Sequence, residues 1–154
     1  MVSARRAAGF TLIEMMVGVA IVALLSAIAA PSFNQMVASQ RLKGASSDLF
    51  SALMRARSEA IKRNTEVTLS PATASQWQSG WVIPNPADSG NRIEVHDALA
   101  GLAMTGPDNV VFLANGRVKG ATSPSFQLSV AGAPQPRCVN VDLSGRPYQK
   151  PSAC

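Results

Sequence analysis

GFTLIEMMVGVAIVALLSAIAA, residues 9–30, decides how this chain is read. After Gly9 comes an apolar run from Phe10 to Ala30, broken by a single charge, Glu14. A helix over those 21 residues rises about 30 Å, the thickness of one bilayer hydrocarbon core. A carboxylate in that layer costs roughly 2.5–3.5 kcal/mol at the helix centre, so Glu14 calls for a partner. Two readings of the run are open. A cleaved secretory signal has an apolar region of about 7–15 residues followed by small residues, as in AIAAP here. The length of the run and its internal carboxylate favour a retained membrane span. Arg5 and Arg6 precede it with no acid beside them, which places the N-terminus in the cytoplasm and everything after Pro31 outside.

The chain has 154 residues, enough for about one domain and an appendage. Two cysteines, Cys138 and Cys154, lie near the C-terminus on the side expected to be oxidising. Joined, they close a loop worth roughly 3 kcal/mol in a chain-entropy treatment. The alternative is two unrelated thiols. With one histidine, His96, the soft ligands are too few for a metal site and match no zinc spacing, so no metal and no cofactor is expected.

Beyond Pro31, Phe33, Met36, Val37, Leu49, Phe50, Leu53, Met54 and Ile61 recur largely at helical spacing, predicting one apolar stripe. Gln35, Arg41, Lys43, Asp48, Arg55 and Lys62 make the opposite face. Pro31 removes a backbone donor and predicts a kink. Lys62 and Arg63 suit a helix C-terminus near Asn64. The result is one helix of more than fifty residues, about 80 Å long. From Thr65 the texture changes to short β-type runs, TEVTL (65–69) and RIEV (92–95) alternating, with WVI (81–83), SFQLSV (125–130) and RCVNVDL (137–143) beside them. VVFLANGRVKG (110–120) carries Asn115-Gly116, a two-residue hairpin signal, and Ser144-Gly145 marks another turn. NPADSGN (85–91) and AGAPQP (131–136) read as exposed loops. Antiparallel strands beside one long helix give an α+β class.

Catalysis finds little support. His96-Asp97 has no G-x-S-x-G nucleophile motif to accompany it, and no phosphate-binding glycine loop is present. No catalytic residue and no small-molecule substrate is expected. His96 reads as an edge-strand surface residue, and Trp77 and Trp81 as core or sheet residues.

GFTLIE ahead of an apolar run resembles the processing signal of type IV pilins and type II secretion pseudopilins. That resemblance implies a cut after Gly9 by prepilin peptidase and N-methylation of Phe10. It also implies that Glu14 pairs with the N-terminal amine of a neighbouring subunit during filament assembly, and it matches the helix-kinking proline at Pro31. An ammonium meeting the carboxylate would make its burial tolerable. ARSEAIKRN (56–64), Gly80-Trp81, FLANGR (112–117) and CVNVDLSGRP (138–147) resemble the FimT/FimU and GspH group of minor pilins.

The implied fold is pilin-like, a long N-terminal helix on a small antiparallel β-sheet domain. The implied segments are a leader at 1–9, a membrane-spanning half-helix at 10–30, an amphipathic half at 31–64, and a periplasmic β-rich domain at 65–154 ending in a disulfide loop. The implied partners are other pilin subunits, prepilin peptidase and the inner membrane, with later passage into a surface filament. A type II secretion pseudopilin and a dedicated DNA-uptake receptor are the alternatives. Some members of the group bind DNA through a C-terminal G-R-x-R motif. Here that stretch is Gly145-Arg146-Pro147-Tyr148, with Tyr148 at the second arginine position and Lys150 following. Two readings of this exposed turn are open: a solvated turn whose arginine supports the disulfide loop, or a DNA contact in which Arg137, Arg146 and Lys150 meet phosphates and Tyr148 stacks on a base. Loss of Arg5 and Arg6 with the leader lowers the formal charge from +5 to +3, mild for a polyanion binder.

Overall fold

The structure, a computed structural model, describes residues 9–154, with the side chains of residues 28–31 and 89 excepted. Most of the expected leader, with Arg5 and Arg6, lies outside the described residues. Helical backbone runs without a break through Pro31, where a kink was expected.

One helix, α1 (Leu12–Arg63, 52 residues), runs from the apolar stretch into the β-rich part of the chain. Its residues fall in two compact units, 1–34 and 35–154. In the first, Leu12, Ile13, Met15, Met16, Val19, Ile21, Leu24 and Leu25 are all exposed. An 18-residue window there has mean hydropathy 2.4 with none of it buried, long and apolar enough to cross a membrane.

The second unit holds eight strands: β1 (Val67–Thr73), β2 (Gln76–Asn85), β3 (Asp88–His96), β4 (Leu102–Thr105), β5 (Val110–Phe112), β6 (Ser125–Val130), β7 (Arg137–Val141) and β8 (Pro147–Lys150). They form two antiparallel four-stranded sheets, ordered β3-β2-β1-β5 and β4-β6-β7-β8. Alternation explains which faces turn inward: Val67 and Leu69 of β1, and Phe126 and Leu128 of β6, are buried while their neighbours are not. The expectation of an α+β chain, one long helix with antiparallel strands, therefore holds, with two sheets where one was expected.

The buried face of α1 differs from the expected stripe. Leu42, Ala45, Leu49, Ala52, Leu53, Ala56 and Ala60 enter the core, and Phe33, Met36, Met54 and Ile61 are exposed. Alanines on that face let the sheets approach the helix backbone, and the large side chains Trp77, Trp81, Phe112 and Phe126 fill the space opposite. Trp77 and Phe126 meet edge to face with ring centroids 4.8 Å apart, and Trp77 Nε1 donates to Pro107 O at 2.7 Å. Both tryptophans are thus core residues. Trp81 stacks on His96, centroids 4.0 Å apart, and its Nε1 is buried with no acceptor among the described residues. His96 ends the edge strand β3, with Nε2 3.6 Å from Asp48 Oδ2 on α1.

Three strand expectations need correction. β2 and β3 extend into residues read as a loop, so NPADSGN contracts to a tight connection in which Asn85 faces Asp88. The span between Ala98 and Asn109 supplies β4, and residues 147–150 form a strand, not a turn. Asn115-Gly116 does not make a two-residue hairpin loop. Gly116 N donates to Leu113 O and Leu113 N to Arg117 O, both at 2.8 Å, and Gly116 has φ +76° with no positive φ at Asn115. A two-residue type I′ loop needs both residues left-handed.

Candidate functional site

The helix start is capped by its own sequence. Thr11 and Glu14 stand in T-x-x-E spacing. Glu14 N donates to Thr11 Oγ1 at 3.3 Å, and Thr11 N donates to Glu14 Oε2 at 3.4 Å. This reciprocal capping box satisfies two of the four amide groups left without acceptors at a helix N-terminus. A carboxylate in the first turn also faces the positive end of the helix dipole. Gly9 and Phe10 precede the cap in exposed, non-helical backbone. The T-x-x-E signal was present in the sequence and is a second role for Glu14.

The C-terminal region is organised by two similar turns. Leu113-Ala114-Asn115-Gly116-Arg117 and Asp142-Leu143-Ser144-Gly145-Arg146 each close with a glycine at positive φ (+76° and +82°) and are followed by an exposed arginine. In the second, Gly145 N donates to Asp142 O at 2.9 Å and Asp142 N to Arg146 O at 3.1 Å. Arg57 of α1 bridges the pair, donating from Nε to Gly116 O at 3.1 Å and from Nη2 to Ser144 O at 3.3 Å. Val118 N donates to Leu143 O at 3.3 Å, joining the turns directly. Asp142 Oδ1 accepts from Ser144 Oγ at 2.6 Å and from Arg146 N at 2.8 Å. The Ser144 bond, then the Arg146 amide, with the Arg146 charge adding to them, hold the Asp142 carboxyl below the ordinary carboxylate range.

Strand β8 leaves this second turn and pairs with β7, Val141 facing Pro147 and Cys138 facing Lys150. As an edge strand it is flanked by Pro147 and Pro151, which discourage further pairing. Its pleat sorts the candidate residues. Arg146, Tyr148 and Lys150 are exposed on one face, while Pro147 and Gln149 are half-buried on the other. Lys150 Nζ lies 5.4 Å from the Tyr148 ring centroid, in cation–π range. Arg137 takes a different course: half-buried, it donates from Nη1 to Ser46 Oγ and to Gln149 Oε1, both at 3.3 Å. Three of the four expected DNA-contact residues therefore share a surface, and the fourth faces the helix.

Cys138 and Cys154 are joined, with Cα atoms 5.1 Å apart. The bond ties the chain end to β7 just where β8 finishes. Among the described residues no group of three or more His, Cys, Asp or Glu is placed to hold a metal ion.

Residues 45–145 match the family model described as Type II transport protein GspH, and residues 4–30 match the prokaryotic N-terminal methylation motif. No curated protein matches the chain. Among solved structures, the type IV minor pilin FimU of Pseudomonas aeruginosa (strain PAO1) matches in two crystal forms. The first, in space group P65, gives TM-score 0.61 at 22% identity over 71% of this chain and 92% of that one. The second, in P21, gives TM-score 0.64 at 21% identity over 73% and 90%. That likeness establishes the pilin fold. With the family model covering most of the chain behind a methylation motif, the chain belongs to the GspH family, as a type IV minor pilin or pseudopilin.

Proposed function

We propose that the chain is a minor pilin, cut after Gly9, N-methylated at Phe10 and held in the inner membrane by residues 10–30 with residues 65–154 in the periplasm. From there it enters a type IV pilus, through the helix that begins at Leu12. Prepilin peptidase and other pilin subunits are its partners. The observation that carries this reading is the exposed apolar surface from Leu12 to Leu25, which no part of the chain covers among the described residues. Lipid covers it before assembly and neighbouring helices afterwards. Blots of sheared filaments, against a strain lacking prepilin peptidase, test the reading; a filament fraction without the chain counts against it. The description of the matched family favours a second reading, a secretion pseudopilin. Deleting the gene separates the two: lost surface filaments support the pilus, lost protein export the secretion machine.

We further propose DNA as a ligand of the outer face of β8. The support is the shared exposure of Arg146, Tyr148 and Lys150, two cations around an aromatic plane. Fluorescence anisotropy of labelled DNA with the full-length chain in uncharged detergent micelles is the test. Replacing Arg146 and Lys150 with Gln together should weaken binding and flatten the salt slope by about 2. No binding even at low salt removes the DNA role and leaves the filament role standing.

A further inference from the structure

We propose that Lys43 and Arg137 form an anion pocket that receives an acidic side chain, Asp or Glu, of a partner protein. The site is separate from the outer face of β8 and does not depend on that face binding DNA. A cavity of about 270 Å³ opens between α1, the loop joining β6 to β7, and the chain end after β8. Ser39 and Lys43 line it from the helix, and Pro134, Pro136 and Arg137 from the loop and the start of β7. Pro151 closes a third side. No Asp or Glu is among the lining residues, and neither Lys43 nor Arg137 forms an ion pair among the described residues.

Arg137 is a half-buried cation without a counter-ion among the described residues, and its position is fixed from behind. Ser46, fully buried, accepts from Arg137 Nη1, and its hydroxyl proton is shared between Lys43 O at 3.0 Å and Gln149 Oε1 at 3.2 Å, while Gln149 Nε2 donates to Ser46 O at 3.2 Å. These bonds occupy one guanidinium nitrogen. Nε and Nη2 have no protein acceptor among the described residues. A cation withdrawn from water and left unpaired is costly, and a carboxylate that completes the fork converts that cost into affinity. Lys43 adds a second charge at the rim.

The walls narrow the ligand class. Three prolines offer rigid apolar surfaces with no amide donors, so they suit the stem of an amino-acid side chain and the peptide that carries it. The volume falls just below the roughly 300–1,000 Å³ of drug-sized ligand sites, which fits one acidic residue with its flanks. The Cys138–Cys154 bond adds to the design: it fixes the segment carrying Pro151 against the strand that starts with Arg137.

The test uses the full-length chain in uncharged detergent micelles and an acetylated Gly-Glu-Gly amide, followed by amide NMR shifts. Saturable shifts at Ser39, Lys43 and Arg137 are expected, with the Gly-Gln-Gly counterpart binding at least tenfold more weakly. Lys43→Gln should lose about tenfold in affinity, and Arg92→Gln, an exposed charge on β3, should lose none. Lys43→Gln carries the result even where Arg137→Gln disturbs the Ser46 network, because the Lys43 side chain is exposed. Equal binding of the Glu and Gln peptides, or undiminished binding by Lys43→Gln, overturns the proposal. So does inorganic phosphate that displaces the peptide at equal or lower concentration, since the pocket would then be one for phosphate.

Discussion

Arg57 Nε donates to Gly116 O at 3.1 Å, and this bond fixes one glycine-arginine turn against the other. The same guanidinium reaches Ser144 O, so a single helix residue sets where Arg117 and Arg146 emerge. The closeness of the turns rules out a side chain at Gly145. A Cβ there would run into Gly116 O and lie 3.2 Å from Arg57 Nε, at a φ of +82°. Gly145→Ala should therefore destabilise by about 3 kcal/mol, combining left-handed strain with the clash. Gly101→Ala, at φ +72° with no neighbour within 4 Å of its Cβ, isolates the strain and should cost about 1 kcal/mol. Thermal melts of the two variants provide the comparison; equal losses would show that the turns do not pack against one another.

Replacing the clamp itself should depend on geometry more than on charge. Arg57→Lys keeps a cation but loses the planar fork that meets two carbonyls at once. A loss of about 1–2 kcal/mol is expected for Lys and somewhat more for Ala. Chemical denaturation midpoints would show it, and a lysine variant as stable as the parent would mean that the bridging geometry contributes nothing.

Asp142 gives the second turn a pH dependence of defined sign. Its folded pKa lies below the unfolded value of about 3.9, so its contribution to stability is fully present above that value. It is lost as pH falls through the lowered folded pKa. Asp142→Asn keeps an acceptor oxygen for Ser144 and Arg146 but has no charge to protonate. Melting temperatures from pH 6 to pH 2 should therefore fall more steeply for the parent than for Asp142→Asn. Parallel curves would remove the charge from the account.

The disulfide should matter to the chain end more than to the core. Cys138 is fully buried and paired with Cys154 across a separation of 16 residues. Replacing both with Ala should cost roughly 3 kcal/mol and lower Tm on the order of 10 °C. Loosening of β8 should come first, visible as faster amide exchange at Tyr148 and Lys150. Unchanged exchange there would mean that pairing with β7 alone secures the strand.

The long helix and the class of fold were legible because a continuous apolar run and a 3.6-residue period are strong signals. The buried face was misjudged for a physical reason. Ala45, Ala52, Ala56 and Ala60 carry little hydrophobic weight, yet their smallness is what lets the sheets close on the helix, while the larger Met36, Met54 and Ile61 stay outside. β8 was hidden because Gly-Arg-Pro reads as a turn, and what marks the strand, a disulfide at its end and Gln149 reaching Ser46 across the chain, exists only in the folded protein. Asn115-Gly116 misled similarly: the local pair favours a two-residue loop, and contacts with Leu143 and Arg57 select another. Of the candidate surface, Arg146 and Tyr148 were named from the motif and Lys150 from its place just after it, and all three are exposed. Arg57 and Ser46 were missed, since a lone arginine and serine within a helix pattern give no signal until the chain folds.

Processing is tested at Gly9. A peptidase that reads this position should fail on Gly9→Val, leaving the longer form in the membrane. The parent's mature chain should start at Phe10 and carry one added methyl by intact mass. A mature chain starting after Ala30 would instead mark residues 10–30 as a secretory signal and end the pilin reading.

Glu14 has two candidate roles, and one pair of variants separates them. Within the chain its carboxylate accepts from Thr11 N, an interaction that a glutamine amide oxygen also makes. Between subunits it is proposed to meet the N-terminal ammonium of an incoming chain, which needs the negative charge. Glu14→Ala removes both interactions and makes the span more apolar, so insertion should persist while entry into the filament fails. Glu14→Gln keeps the capping box and loses only the charge. If intersubunit pairing governs assembly, Gln should fail like Ala in blots of sheared filaments, with both proteins at normal levels in the membrane fraction. If helix capping is what matters, Gln should assemble like the parent while Ala does not, and the ammonium pairing would have to be given up.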